Sequence, residues 1–435
     1  MGMQTIWFAG TVAWGLVLPA SPVAAAEAFV EVATSGIEAD AEQRRRHRGV
    51  EVDWVRRVRV NPAALQAQEI SIDLYDTTLQ LVRDTRDLPA RSHGEWLYSI
   101  DDGGSPQRQG NALPVAAWAG TVHGSTGMAG PVGAQGAQVK IWASAHGFNA
   151  EFRLGKMRYE LNGDVLVKRD MRRFRVNENN DVRDVRPDRP TPMRDPSADV
   201  SGEDVEHVVR VVYGLAAGAA ADGVDPLLGQ VRQAIDDANK GFAESGIKLS
   251  LKTAANALPG YMETSLDQTM DDISAGRNGP LWLLHIARER ERADVMVMVV
   301  DTGADVPVCG SAQQILATRE TAFLAVERRC LSEHTLAHEM GHLLGADHNT
   351  ENATLDPPRF AYGHGYRAAV DIEPRWRTVM AQECPEVACD RVNLWSSPLI
   401  HHNGQPTGTA DIHDNARVLH ETKAIIAGFY PDLLP

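Results

Sequence analysis

Three histidines and one glutamate fall within the run LAHEMGHLLGADHN at residues 336–349. His338 and His342 are four positions apart, Glu339 follows the first, and His348 comes six positions after the second. On an α-helix, residues four apart share one face with their Cβ atoms about 6 Å apart, so His338 and His342 can hold one ion. Two neutral imidazoles suit a zinc ion, and the carboxylate suits its water. The spacing therefore predicts a helix that presents a catalytic Zn²⁺ site.

Gly345 separates the helical pair from the third histidine. A residue without Cβ can adopt a left-handed conformation, so we expect the helix to end there and the chain to turn, bringing His348 to the same ion. Three protein ligands leave a fourth position open for water, which distinguishes a catalytic zinc from a structural one. Glu339 is predicted to take a proton from this water and to pass it to the departing amine. His334 is interpreted as a neighbour, because in this motif the glutamate follows the first ligand.

Residues 337–348, AHEMGHLLGADH, resemble the metzincin zinc endopeptidases, and RTVMAQEC carries a methionine, Met380, that resembles the one in their Met-turn. ADVMVMVVD, VCGS, AFLAVERRC, YGHGYR and DNARVLHETKAIIAGFY resemble, in this order, the reprolysin-like branch and the bacterial peptidyl-Asp metalloendopeptidases. The resemblance extends over about residues 205–435. It implies a zinc-dependent endopeptidase.

The same resemblance assigns roles to individual residues. The zinc ligands would be His338, His342 and His348, and the catalytic base would be Glu339. Gly345 would be structural, and Met380 would pack beneath the ligands, although an ordinary core methionine is the alternative. Gln382 stands where astacin-like and serralysin-like enzymes have a tyrosine, so zinc would do most of the oxyanion stabilisation. Substrate would lie extended along an edge strand near residues 312–316.

The composition changes along the 435 residues, and the length favours two or three domains. Residues 27–176 are predicted to be a pro-region, β-rich from about residue 95, where the alternating runs AQVKIWAS, NAEFRLG and RYELNG are separated by glycine-rich turns. Residues 177–204 are polar and proline-bearing, which predicts a protease-accessible linker. In residues 205–435, strand-like and helix-like segments alternate, which predicts an α/β metzincin-like catalytic domain with a mixed twisted sheet and the HExxH helix.

The N-terminus indicates the cellular compartment of the protein. Residues 1–26 combine a short apolar stretch with small residues placed for cleavage after about Ala26, which predicts a secretory signal peptide. No Lys or Arg precedes the apolar stretch, so an uncleaved N-terminal anchor is the alternative. No later segment reaches about 20 unbroken apolar residues, so no membrane contact is expected after signal removal. We expect a secreted protein, extracellular or periplasmic.

In an exported chain the four cysteines are expected to form two disulfides. The sequence permits three pairings, and proximity favours Cys309 with Cys330 and Cys384 with Cys389. A cysteine-based zinc site is disfavoured because no CxxC spacing exists. The upstream half contains no cysteine, so another group would have to cap the zinc of a precursor. Asp164 in LNGD is one candidate, with a turn between strands as the alternative.

The charge balance excludes some function classes. The formal net charge is −15, with −1 in residues 1–200 and −14 in residues 201–435, so no basic field would attract nucleic acid or an anionic membrane. We predict a monomeric zinc endopeptidase that is made as a proenzyme and acts on protein or peptide substrates. An inactive metzincin-fold binding or adhesion protein is the alternative, and the intact Glu339 argues against it. Zinc-dependent hydrolysis of a non-protein amide also stays open.

Overall fold

The computed structural model describes most of the chain. The described residues are 26–32, 51–84, 96–110, 115–127, 138–144, 147–174, 181–183, 205–304, 307–355, 357–372, 374–385 and 389–430. Nearly all of the predicted signal peptide lies outside these residues. Within them, no helix is both long and apolar enough to cross a membrane.

Nine strands of the N-terminal half close into a barrel. They are β1 (Glu27–Val32), β2 (Val52–Val60), β3 (Glu69–Asp73), β4 (Thr77–Arg83), β7 (Val115–Gly127), β8 (Gln138–Ser144), β9 (Gly147–Leu154), β10 (Met157–Asn162) and β11 (Val165–Asp170). Their order is β1-β2-β11-β10-β9-β8-β7-β4-β3. The three predicted alternating runs coincide with β8, β9 and β10. The first strand begins at Glu27, much earlier than the expected residue 95. The sequence did not reveal the early strands, because charged outward side chains in strands such as VDWVRRVRV obscure the apolar alternation.

A second, mixed sheet is built by the C-terminal half. Its strands are β12 (His207–Leu215), β13 (Leu249–Ala257), β14 (Val295–Val300), β15 (Gly310–Ala312) and β16 (Phe323–Glu327). β13, β12, β14 and β16 run parallel to their neighbours, whereas β15 pairs antiparallel with β16. Every residue of β14, VMVMVV, is buried, as expected for a strand covered on both faces. The predicted mixed sheet is confirmed.

Five helices pack against this sheet. They are α1 (Val224–Glu244), α2 (Leu266–Ser274), α3 (Trp282–Glu291), α4 (Thr335–Leu343) and α5 (Asn415–Ala427). The Ser265 side chain caps α2 by accepting a hydrogen bond from the Gln268 amide, and Asp414 caps α5 in the same way. Helix α4 carries the HEMGH run. Its apolar side chains face the common core of sheet and helices, so the sheet fixes the position of the histidines.

Two strands from the N-terminal half join the C-terminal sheet. β5 (Trp96–Ile100) and β6 (Pro106–Gly110) form a hairpin between β4 and β7 of the barrel. This β5–β6 hairpin extends the sheet beyond β13, and the full order is β15-β16-β14-β12-β13-β5-β6. The seven-stranded sheet therefore contains residues from both sides of the predicted linker.

Both favoured disulfide pairings are confirmed. Cys309 is bonded to Cys330, with their Cα atoms 5.4 Å apart, and this bond ties the segment before β15 to the 3₁₀ turn before α4. Cys384 is bonded to Cys389, with a Cα separation of 5.7 Å. The second bond closes the loop that leads into β18 (Asp390–Arg391), which pairs with β17 (Trp376–Arg377). The remaining two strands are β19 (His401–His402) and β20 (Gln405–Pro406).

Candidate metal centre

Three imidazole rings converge at the end of α4. The Nε2 atoms of His338 and His342 are 3.2 Å apart, and each lies 3.1–3.2 Å from the Nε2 atom of His348. All three side chains are buried. Tetrahedral zinc with Zn–N bonds of about 2.0–2.1 Å places neighbouring ligand atoms about 3.3–3.4 Å apart, so the three nitrogens have the spacing of a zinc site.

A backbone carbonyl fixes each imidazole from behind. The Nδ1 atoms of His338, His342 and His348 lie 2.8 Å from Val379 O, 3.0 Å from Ala346 O and 3.2 Å from Asn352 O, respectively. A carbonyl can only accept, so in each neutral ring Nδ1 carries the proton and Nε2 directs its lone pair at the shared centre. This donor set is ready to bind a metal and fits Zn²⁺.

Two glycines allow this arrangement. Gly345 has φ +104°, a conformation that favours glycine, and its amide donates to His342 O at 2.9 Å, where the helix ends. A Cβ on Gly341, between the two helical histidines, would lie 2.5 Å from the Sδ atom of Met380 and 2.9 Å from the ring of Trp395. This short distance shows that Met380, which is fully buried, packs directly against the backbone of α4 beneath the histidines. The role of Gly341 was not predicted from the sequence.

The loop after Gly345 is held in place by Asp347 and His364. The buried carboxylate of Asp347 accepts hydrogen bonds from the amides of His348 and Thr354, each at 2.8–2.9 Å. His364, in the YGHGY segment, places its Nδ1 atom 2.8 Å from His348 O. These bonds turn the third imidazole back toward α4. Sequence reasoning missed Asp347, although an Asp directly before the third histidine is a signal for such a turn.

Asp181 is the fourth member of the cluster. Its Oδ2 atom lies 2.9 Å from the Nε2 atom of His348, 3.1 Å from that of His338 and 4.0 Å from that of His342. Among the described residues these four form a group whose ligand atoms all lie within 4.8 Å of one another. The fourth corner, expected to be open to water, is thus covered by a carboxylate from the predicted linker.

The three described residues around Asp181 also occupy the edge of the sheet. The amide of Ala312 donates to Asp181 O at 2.7 Å, and the amide of Arg183 donates to Ala312 O at 3.1 Å. Val182 forms a parallel bridge with Ala312. Beyond it, the Arg183 guanidinium pairs with Asp271 at 2.7 Å. The segment therefore lies along β15, the edge on which an extended substrate was expected.

Asp164, the candidate zinc cap of the sequence analysis, is not in the cluster. It sits in the turn between β10 and β11, more than half exposed, and its side chain pairs with Arg57. The expectation of Asp164 at the metal is wrong, and the alternative of a turn between strands is correct. The pattern was misleading because the sequence LNGD forms the same kind of turn whether or not the turn lies near the histidine cluster.

Glu339 lies beside the three imidazoles and β15. It is 1 % exposed, and its Oε2 atom finds no hydrogen-bond partner among the described residues. A Cβ on Gly310 would lie 2.4 Å from the Oε1 atom, so this glycine makes room for the carboxylate. Burial raises the pKa of Glu339 well above its usual range, the charge of Asp181 raises it further, and Arg391 opposes both. A buried carboxylate oxygen without a partner is the feature expected of a base that awaits water.

Burial and hydrogen bonds shift the pKa values of the groups around Asp181. Burial raises the pKa of Asp181, but hydrogen bonds from His338 and His348, made when their Nε2 atoms carry a proton, outweigh this and hold the pKa well below its usual value. Burial lowers the pKa of His342 well below its usual range. His334 is partly buried, and desolvation lowers its pKa to about 3. His334 is not among the four clustered residues, in agreement with its interpretation as a neighbour.

A mixed sheet, a helix with two imidazoles and a returning third imidazole form an arrangement that can be compared with known metallopeptidases. Residues 208–396 match Reprolysin_5, metallo-peptidase family M12. This part of the chain is therefore similar to the reprolysin-like M12 metallopeptidases.

The chain is similar to three proteins named peptidyl-Asp metalloendopeptidase. It is 38% identical to that of Stenotrophomonas maltophilia (strain R551-3) over 46% of this chain and 47% of the relative, and 38% identical to that of Xanthomonas campestris pv. campestris over 46% of each. With the one of Pseudomonas fragi it shares 43% identity over 22% of this chain and 58% of the relative. The chain spans about half the length of the first two relatives.

Solved structures show only distant similarity. Metalloproteinase-II from Bacteroides fragilis aligns with a TM-score of 0.36 at 12% identity, over 65% of this chain and 82% of that one. A chaperone–substrate complex aligns with a TM-score of 0.40 at 16% identity, over 52% of this chain and 36% of that one.

Proposed function

We propose that this protein is a secreted zinc endopeptidase that is made as a proenzyme and hydrolyses peptide bonds of proteins. The observation that carries the proposal is the convergence of three Nε2 atoms beside the unpaired Oε2 atom of Glu339. Zinc ligands alone would suit a structural site. The buried base next to them is a group that only chemistry requires.

The proposed zinc ligands are His338, His342 and His348. When bound, the ion lowers the pKa of water to about 7 and polarises a carbonyl. Glu339 accepts the proton of the attacking water and then donates it to the leaving amine. The edge of β15 aligns the substrate backbone, since its Ala312 amide and carbonyl already bind an extended segment.

Asp181 supports the proenzyme part of the proposal. Its carboxylate covers the fourth corner, and its neighbours occupy the substrate edge, so the described chain is closed at both places. In this proposal the N-terminal barrel belongs to the pro-region. Cleavage within residues 184–204 would release Asp181 from the chain that follows it and open the site.

The names of the relatives suggest bonds beside aspartate as the substrate class. A negative side chain needs a local cation in a domain of net negative charge. We propose Arg391 as this cation. Its Nη1 atom donates to Glu333 O at 3.2 Å, immediately before α4, and its charge lowers the pKa of both His338 and Glu339. We therefore assign Arg391 to the recognition of the substrate carboxylate.

Replacing Arg391 by Gln tests this assignment. Loss of a charge-assisted hydrogen bond of about 1.5–3 kcal/mol should lower kcat/KM for an Asp-containing peptide by about 10- to 100-fold. The matched Asn-containing peptide should change little. Arg375→Gln is the control, because Arg375 contacts the carbonyl of Ala368 instead. An unchanged Asp-to-Asn ratio in Arg391→Gln would remove Arg391 from substrate recognition.

Metal removal tests the hydrolase itself. Chain cut within residues 184–204 should cleave denatured proteins in a mixed panel, lose this activity with 1,10-phenanthroline, and regain it when stoichiometric Zn²⁺ is added. Mass spectrometry of the products gives the cleaved bonds. Cleavage of small amides but no protein would favour the non-protein amidase. Full zinc occupancy without hydrolysis of either substrate would favour the binding or adhesion protein.

A further inference from the structure

The β5–β6 hairpin belongs to the core of the metallopeptidase domain. Tyr98 is fully buried in the same apolar cluster as β12, β13 and β14, and Trp96 and Ile100 pack against that cluster. The Tyr98 hydroxyl donates to the Oε1 atom of Glu291, at the end of α3, at 2.5 Å. The barrel has its own separate core around side chains such as Trp118. The hairpin therefore packs with a domain from which it is distant in sequence.

Backbone pairing joins the hairpin to β13. Trp96, Leu97 and Tyr98 pair in parallel with residues 255–257, and the amide of Leu258 donates to Tyr98 O at 2.8 Å. Without β5 these backbone groups of β13 would form an open sheet edge. Open edges with unpaired amides and carbonyls attract other strands and are normally covered.

The far side of the hairpin adds a specific polar contact. The Arg108 guanidinium stacks over the ring of Trp96, 3.5 Å from its centroid, and its Nε atom donates to the Oε1 atom of Glu291 at 2.8 Å. Glu291 thus receives hydrogen bonds from both strands of the hairpin. The contact combines buried apolar area, strand pairing and a shared carboxylate.

The barrel itself also contacts the metallopeptidase domain through oppositely charged pairs. These are Lys140 with Asp236, Arg153 with Asp237, Lys156 with Asp390, and Arg158 with Glu333. Salt screens such pairs wherever they are exposed, and the Debye length falls to about 3 Å at 1 M. High salt therefore distinguishes the two kinds of contact, because it weakens the charge pairs of the barrel but not the apolar and strand-pairing contacts of the hairpin.

We propose that the edge of β13 is a docking surface for the hairpin Trp96–Gly110, and that the two halves of the chain stay bound to each other after a cut between Arg183 and Val205. The hairpin acts as a permanent strand of the metallopeptidase domain. Activation then removes Asp181 from the metal centre without removing β5 from the sheet. This inference does not depend on hydrolysis.

The test uses the full chain with Glu339→Gln, to prevent self-cleavage, and a tobacco etch virus protease site inserted between residues 190 and 200. After the cut, the two fragments should elute together in size exclusion at 0.15 M and at 1 M NaCl. Tyr98→Ala should weaken their association by at least about 100-fold, as expected for truncation of a buried aromatic side chain. The control Lys156→Ala, which removes one half-exposed charge, should leave co-elution unchanged.

If Tyr98→Ala does not fold, hydrogen exchange of the cut parent chain tests the proposal instead. In the cut parent chain, the amide of Leu258 should stay protected to the same degree as before the cut. Fragments that separate at 1 M NaCl while the C-terminal one stays folded would overturn the proposal. Fast exchange at Leu258 after the cut would overturn it as well, because the hairpin would then have left the edge.

Discussion

Glu339→Gln is expected to lower kcat for peptide cleavage by about 10²- to 10⁴-fold, the usual contribution of a general base. The amide keeps the size of the carboxylate but cannot accept the proton of the attacking water. Zinc content should stay at one ion per chain, since the three imidazoles are oriented by backbone carbonyls and not by Glu339. Steady-state kinetics and metal analysis of the same preparation measure both quantities.

Glu351→Gln is a matched control for this loss. Glu351 is exposed in the loop after His348 and accepts a hydrogen bond from Asn349 at 2.7 Å, which a glutamine oxygen can also accept. Its kcat should stay within about twofold of the parent, as for a surface substitution. Equal turnover in Glu339→Gln and the parent would reject Glu339 as the base. Loss of zinc together with activity would instead indicate that Glu339 helps to build the site.

Asp181→Ala should raise the activity of the uncut precursor by about 10- to 100-fold, which corresponds to one charge-assisted hydrogen bond of about 1.5–3 kcal/mol. The methyl side chain cannot cover the fourth corner, so water gains access to the metal. Activity of uncut chain against an internally quenched peptide, checked for intactness by electrophoresis, measures the effect. The cut chain should be equally active with either residue.

Asp164→Ala is the control for latency, because its exposed carboxylate pairs with Arg57 on the barrel surface. It should leave the precursor as inactive as the parent. Asp181→Asn separates charge from shape: it retains one oxygen without the negative charge and should fall between the parent and Asp181→Ala. A precursor that stays inactive in Asp181→Ala would show that the strand pairing at Ala312 suffices for latency.

The convergence of the three histidines was predictable because its rules are local. Helical period places His338 and His342 together, and the conformational freedom of Gly345 returns His348 to them. Strand β14 was equally visible, because its continuous apolar run is buried on both faces. In each case the structure is determined by a few residues that are neighbours in the sequence.

Asp181 and the β5–β6 hairpin were not predictable for the opposite reason. Asp181 stands among polar and proline residues, and its partners, His338 and His348, are more than 150 positions away. The hairpin has an ordinary alternating pattern that gives its period but not the identity of the neighbouring strand. Long-range pairing is decided by the complete core, which no local window contains.

The route of the chain through the seven-stranded sheet also constrains how the protein folds. β5 pairs with β13 at a separation of about 160 residues, and such non-local contacts slow folding because closing a long loop costs entropy before the contact forms. β13 is synthesised long after β5, so the early hairpin must stay available without pairing elsewhere. The barrel from which it projects would keep it in reach, acting on assembly before any peptide bond is cut.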